Sequence, residues 1–144
     1  MSYQKLIKRI KKNEGFSIKP YRDQLGFQTI GYGHLILSKE ENLAKHKQKK
    51  TNLEKIFIKD FNNSLRDFNR FFKHYTSNKK EEELLIEMIF QMGSQRVLRF
   101  KKLLGNMRKN NKHSVCFEMM CSLWYKQTPN RVKKLIKTFL KNER

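Results

Sequence analysis

Eight apolar residues, Leu53, Ile56, Phe57, Phe61, Leu65, Phe68, Phe72 and Tyr75, recur every three or four positions in mid-chain. That is the period of one helix face, so about residues 52–75 are expected to form a single long helix. The sequence differs on its two sides. Upstream, Tyr3, Leu6, Ile7 and Ile10 predict a short amphipathic helix over 2–13, stopped by Gly15. From Phe16 to His34 the pattern changes to Pro20, "DQLG" and "FQTIGYG", which reads as a β-hairpin. Gln24, Leu25 and Gly26 form its three-residue loop, with Gly26 at the left-handed position. Residues 35–51 are polar and lysine-rich, a loop or weak helix. Downstream, "TSNKK" ends the long helix, and helical pieces follow at roughly 81–92, 96–108, 114–125 and 129–142. Thr128 and Pro129 start the last of these, Thr as N-cap and Pro in the first turn. The expected architecture is α+β, mainly α, in a single domain over 1–144. A small β-hairpin lobe (14–51) and a larger helical lobe (1–13 and 52–144) are joined by the long helix.

The charge balance narrows the partners. Thirty-three basic against 13 acidic residues give +20, a field that favours polyanions: nucleic acid, an anionic membrane surface or an anionic polymer. Cys116 and Cys121 have neither C-x-x-C nor zinc spacing and read as reduced core thiols. The basic start, "MSYQKLIKRIKKNEG", lacks the apolar run of a signal peptide, and no stretch is apolar enough to span a membrane. In the last helix Lys133, Lys134, Lys137 and Lys141 accompany Val132, Leu135, Ile136, Phe139 and Leu140. That helix reads as a core-packing element with a solvated lysine face, and in a sharper reading it also engages anionic lipid or lipopolysaccharide.

Two carboxylates stand out, because Glu14 and Asp23 are the only acidic side chains in the first 39 residues. Glu14 is the next position on the apolar face of the first helix. Partial burial and the negative helix end would both favour its neutral form, as a general acid requires. A surface salt bridge to a nearby lysine is the plainer reading. Across the hairpin, Asp23 should pair with Phe27 and Tyr21 with Thr29. Asp23 and Thr29 are then diagonal neighbours about 7–8 Å apart, able to hold a water between them. Asp23 could equally be a turn cap. Gly31 and Gly33 strip one strand face, for close approach of another group or for a tight bend. Two carboxylates and a held water form the layout of an inverting glycoside hydrolase.

The same residues carry a family motif: Glu14-Gly15, then Tyr21-Arg22-Asp23, then Gly26-Phe27-Gln28-Thr29-Ile30-Gly31-Tyr32-Gly33-His34. With "MIFQMG" at Met88–Gly93 and "WYKQTPNR" at Trp124–Arg131, the chain resembles the phage-type lysozymes of glycoside hydrolase family 24. The resemblance implies a lysozyme-like fold with a shortened β lobe. It implies a muramidase that cleaves the β-1,4 bond between N-acetylmuramic acid and N-acetylglucosamine of peptidoglycan, without a cofactor or metal. It assigns Glu14 as acid, Asp23 and Thr29 to the attacking water, and Arg131 to the neighbourhood of Glu14. Leu35 and Phe90 match substrate-cleft positions, with Gln91 a weaker candidate beside Phe90. Leu103 and Glu118 fall where the family has a Ser and an Asn in the cleft, so those polar contacts change here. His34 matches a structural position that pairs with Asp60, and Tyr21 belongs to the motif.

The implied setting is host-cell lysis by a monomer. It would be made in the host cytoplasm without a signal peptide and reach the periplasmic wall once a holin-type partner opens the membrane. A degenerate wall-binding relative would keep the fold without the intact Glu14, Asp23 and Thr29. A lytic transglycosylase would not need the Asp23–Thr29 pair. A nucleic-acid-binding protein would fit the charge, but no helix-turn-helix, zinc or RNP pattern supports one.

Overall fold

The computed structural model describes residues 3–141. Expectations for Ser2 and Asn142 at the helix ends lie outside the described residues. The fold is α+β and mainly helical, with one small antiparallel sheet. The chain divides into two compact units, residues 1–63 and 64–144.

The first unit opens with α1 (Gln4–Glu14), whose apolar stripe buries Leu6 and Ile10 completely. Gly15 ends it, with a backbone N–H donated to the Lys11 carbonyl. The hairpin follows in the expected register: Tyr21 faces Thr29 between β1 (Ser17–Arg22) and β2 (Gln28–Gly31). The pairing slips between Ser17 and Tyr21, where Pro20 has no N–H to give to a ladder. A third strand that the sequence did not announce, β3 (His34–Leu35), pairs with β2 and makes the sheet three-stranded. Residues 35–51 then hold a short helix, α2 (Glu41–Lys45), which buries Leu43.

The long helix is present but not uniform. α3 (Lys50–Asp67) continues into one wide π turn at Phe68–Phe72 and a tight 3-10 turn at Lys73–Tyr75. The expected stripe shifts as well, since Ser64 is buried at 6% exposure and Leu65 only half-buried. The division between the units falls within α3. In the first unit Leu53, Phe57 and Phe61 are buried, and Phe57 stacks on Phe61 with ring centres 6.2 Å apart.

The second unit is all helical. α4 (Lys79–Met92) starts at Asn78, whose side chain accepts from Glu81 N–H, and Glu81 in turn accepts from Ser77 N–H. Two expected helices are each split. Residues 96–108 become α5 (Ser94–Leu98) and α6 (Lys101–Arg108). Residues 114–125 become α7 (Lys112–Met120) and α8 (Leu123–Gln127). Ser122 explains the second break: its Oγ accepts from Tyr125 N–H and so caps α8. Cys116 is buried, and burial pushes its thiol pKa up. Cys121, expected in the core, is exposed at that break.

α9 (Pro129–Leu140) begins at Pro129, but Thr128 does not cap it. The Thr128 hydroxyl instead donates to the Trp124 carbonyl at 3.2 Å. Val132, Leu135 and Phe139 of α9 are buried, while Lys133, Lys134 and Lys137 face solvent. The last helix packs its main apolar residues in the core and leaves these lysines exposed.

Candidate functional site

Glu14 is the last residue of α1 and is half-buried. Its carboxylate lies against the backbone of Gly33: a Cβ there would collide with Oε2 and stand 2.8 Å from Cδ. Gly31 makes room in the same way for Leu53, whose Cδ2 would be 3.3 Å from a Cβ. The groups that approach the two glycines are therefore the protein's own.

Asp23 is indeed the turn cap. Its Oδ1 accepts from the N–H groups of Leu25 and Phe27, both at 2.9 Å, and its own N–H donates to the Phe27 carbonyl. These bonds fix the carboxylate plane, yet Oδ2 has no hydrogen bond among the described residues. The cap thus uses one oxygen of the side chain and leaves the other. Thr29 is 3% exposed, and its hydroxyl donates to the Phe27 carbonyl at 3.0 Å. That leaves the oxygen's lone pairs as acceptors.

Tyr21 ties the acids together. It pairs with Thr29 across the strands, so both side chains lie on one face of the sheet. Its hydroxyl pKa is raised first by burial, then by the negative charges of Glu14 and Asp23. Both carboxylates therefore act on one phenol. Leu35 faces Thr29 from β3 and is 48% exposed, extending this row as an apolar surface.

His34 is held from both sides. Its Nδ1 lies 2.7 Å from Asp60 Oδ2 and its Nε2 3.0 Å from Glu40 Oε1. The Asp60 bond raises the His34 pKa; burial opposes this, and Glu40 adds to it. Glu40 is pushed up by burial, but the Leu37 N–H, His34 and Lys39 together leave its pKa below the usual value. Only the doubly protonated ring can donate to both acids, so the clamp favours imidazolium.

Two features here escaped the sequence reading. One is Glu40, which sits in a stretch without periodic signal. The other is a cluster beside Gly33: Glu54 accepts from Lys11 Nζ and from the Tyr32 hydroxyl, both at 2.8 Å. The Lys11 ammonium also lies 4.9 Å from the centre of the Tyr32 ring. The Lys11 and Tyr32 bonds lower the Glu54 pKa.

The remaining candidates belong to the second unit. Phe90 is half-buried on α4. Gln91 has its amide engaged: Oε1 accepts from Trp124 Nε1 at 3.0 Å, and Nε2 reaches Thr128 Oγ1 at 3.5 Å. These bonds fasten α4 to α8. Leu103 and Glu118 are brought together around one hollow of about 520 Å³, which Phe100 and Trp124 also line. Leu103 is 1% exposed, as an ordinary core leucine would be. Arg131 is half-buried in the first turn of α9.

Residues 11–139 match the family model of phage lysozyme. The chain is similar to two proteins of Dictyostelium discoideum. To "probable T4-type lysozyme 1" it is 31% identical over 153 residues, 88% of each chain. To "probable T4-type lysozyme 2" it is 31% identical over 155 residues, 90% of each chain. It also resembles the pre-baseplate central spike protein Gp5 of Enterobacteria phage T4, at 26% identity over 152 residues, which covers 90% of this chain and 26% of that protein.

Proposed function

The chain belongs to the phage lysozyme family, glycoside hydrolases that act on peptidoglycan, and from that membership we propose that it cleaves the β-1,4 bond between N-acetylmuramic acid and N-acetylglucosamine with inversion. In this reading Glu14 gives its proton to the glycosidic oxygen as the C1–O bond breaks. A water attacks C1 from the opposite face. It donates one hydrogen bond to Asp23 Oδ2, which takes the proton, and another to Thr29 Oγ1. The water oxygen becomes the new C1 hydroxyl, and proton exchange with solvent resets both acids.

The observation that carries this reading is the asymmetry of Asp23, with Oδ1 fixed by two backbone N–H groups and Oδ2 unbonded among the described residues. A carboxylate oriented by its turn, with an oxygen left over, suits a base better than a nucleophile that must approach the sugar. Leu35, Phe90, Gln91, Leu103 and Glu118 remain the proposed glycan contacts, and Arg131 the proposed neighbour of the acid. Digestion of purified peptidoglycan followed by proton NMR should show the α-anomer first. A β-anomer would make Asp23 a nucleophile, and an anhydro-sugar end would make the enzyme a transglycosylase. Asp23→Asn keeps the Oδ1 acceptor but removes the base. It should lower activity by about 10²–10⁴, with stability changed by less than about 1 kcal/mol. Glu14→Gln should fall by a similar factor.

For the setting we propose lysis of a bacterial host by a monomer made in the cytoplasm and released by a holin-type partner. Expression in the cytoplasm should leave cells intact until the membrane is opened. Spontaneous lysis would remove the need for that partner.

A further inference from the structure

α7 is apolar on two faces. Val115, Cys116 and Met119 point inward and are buried. Phe117 and Met120, three residues apart and so on one side of the helix, are 62% and 53% exposed. Leu123, the first residue of α8 across the break, is also 62% exposed. Three large apolar side chains in sequence steps of three, none covered among the described residues, form a patch of the kind that marks a contact site.

The chemistry around it limits the partner. The hollow that Leu123 lines is also lined by Arg96, Arg99, Lys101 and Lys102, all exposed, against one acid, Glu118. A second copy of the chain would bring another +20 to the contact, so self-association is opposed by charge. An apolar ridge flanked by a dense cationic wall matches a surface that is anionic outside and hydrocarbon within. No helix among the described residues is long and apolar enough to cross a membrane, so attachment would be peripheral.

We infer that the α7–α8 corner docks the enzyme on an anionic phospholipid bilayer. Phe117, Met120 and Leu123 enter the interface, and Arg96, Arg99, Lys101 and Lys102 face the head groups. The last helix is not the anchor, because its main apolar residues are buried. Its lysines add only to the general attraction.

The sequence contains a single tryptophan, Trp124, next to Leu123 and lining the same hollow, and it serves as the probe. The full chain is mixed with vesicles of phosphatidylglycerol and phosphatidylcholine in equal parts, with and without brominated acyl chains, or with pure phosphatidylcholine. The protein should sediment with the anionic vesicles, and the brominated chains should quench Trp124. Binding should fade as salt rises from 0.1 to 1 M, where the Debye length falls from about 10 to about 3 Å. The double variant F117S/M120S, which leaves the lining of the hollow untouched, should bind at least tenfold more weakly and weaken the quenching, yet digest soluble wall fragments at the normal rate. K133S/K134S/K137S should weaken binding but keep the quenching at saturation. The inference is overturned by no binding to anionic vesicles, equal binding to neutral ones, binding without quenching, or a double variant that binds normally. A double variant that also fails on wall fragments would make the corner a wall contact. A dimer that the double variant turns into a monomer would make it a self-association surface.

Discussion

Gly33 and Gly93 adopt nearly the same backbone torsion, φ +74° and +85°, one in each unit. At Gly93 nothing stands within 4 Å of a would-be Cβ; the glycine simply ends α4, with its N–H on the Ile89 carbonyl. At Gly33 the Glu14 carboxylate occupies the space. The first glycine is required by a functional group, the second only by a change in chain direction. The residues near them differ in the same way. His34 follows Gly33 and is clamped between two acids, whereas Gln91 precedes Gly93 by two and makes neutral amide bonds.

Alanine at each glycine is the sharpest way to break the comparison. Both variants incur the left-handed cost of about 1–2 kcal/mol. Only Gly33→Ala should also displace Glu14, and a displacement of about 1 Å is enough to lower activity roughly a hundredfold. Gly93→Ala should keep normal kcat on soluble wall fragments while losing a few degrees of Tm. Equal activity losses would mean that the space at Gly33 serves no special purpose.

The clamp gives the next largest effect, read in stability. The folded His34 pKa is raised, so its contribution is full below about pH 6.5 and disappears as pH rises through the folded value. Glu40 is lowered, so its contribution is full above about pH 4.5 and is lost as pH falls through the folded value. The two overlap between about pH 4.5 and 6.5. Asp60→Asn should cost about 1.5–3 kcal/mol near pH 5.5, the range for hydrogen bonds to charged groups, and clearly less near pH 9. Denaturation curves at the two pH values check this, and identical losses would show that the ring is neutral in the fold.

Gln91→Leu should show the smallest change and the opposite pH behaviour. It leaves the buried indole N–H of Trp124 without its partner, at about 1–3 kcal/mol, equally at pH 5.5 and 9. A pH-dependent loss would bring an ionisable group into what now reads as a neutral contact.

Local chemistry was legible in the sequence where it acts over a few residues. Gly26 announced the loop, and the loop length fixed Tyr21 opposite Thr29. Gly15 announced the end of α1. Long-range pairings left no such trace. Glu40 reaches His34 from a stretch with no periodicity, and Lys11, Tyr32 and Glu54 meet from three separate elements. The division of α5 from α6 involves neither Gly nor Pro, and Ser122 is a single-residue signal for the break before α8. β3 is two residues long, too short to alternate. Thr128 looked like a cap because Pro129 follows it, but its hydroxyl is turned back to donate to the Trp124 carbonyl, and its oxygen accepts from no N–H of α9. The family resemblance supplied the His34–Asp60 pairing that spacing alone could not, and it could not reveal the second acid.

The cap on Asp23 also has a consequence in time. The Asp23 carboxylate is oriented by a loop of three residues, and such hairpins close in about 1–10 μs. Glu14 has to meet Gly33 from beyond the whole of β1 and β2. A refolding chain should therefore protect the Leu25 and Phe27 amides before Glu14 is seated. It would pass through a state in which Asp23 is oriented and Glu14 is not yet held against Gly33. Under the proposed mechanism a nascent chain in that state could not yet cut glycan, because that mechanism uses both carboxyls at once.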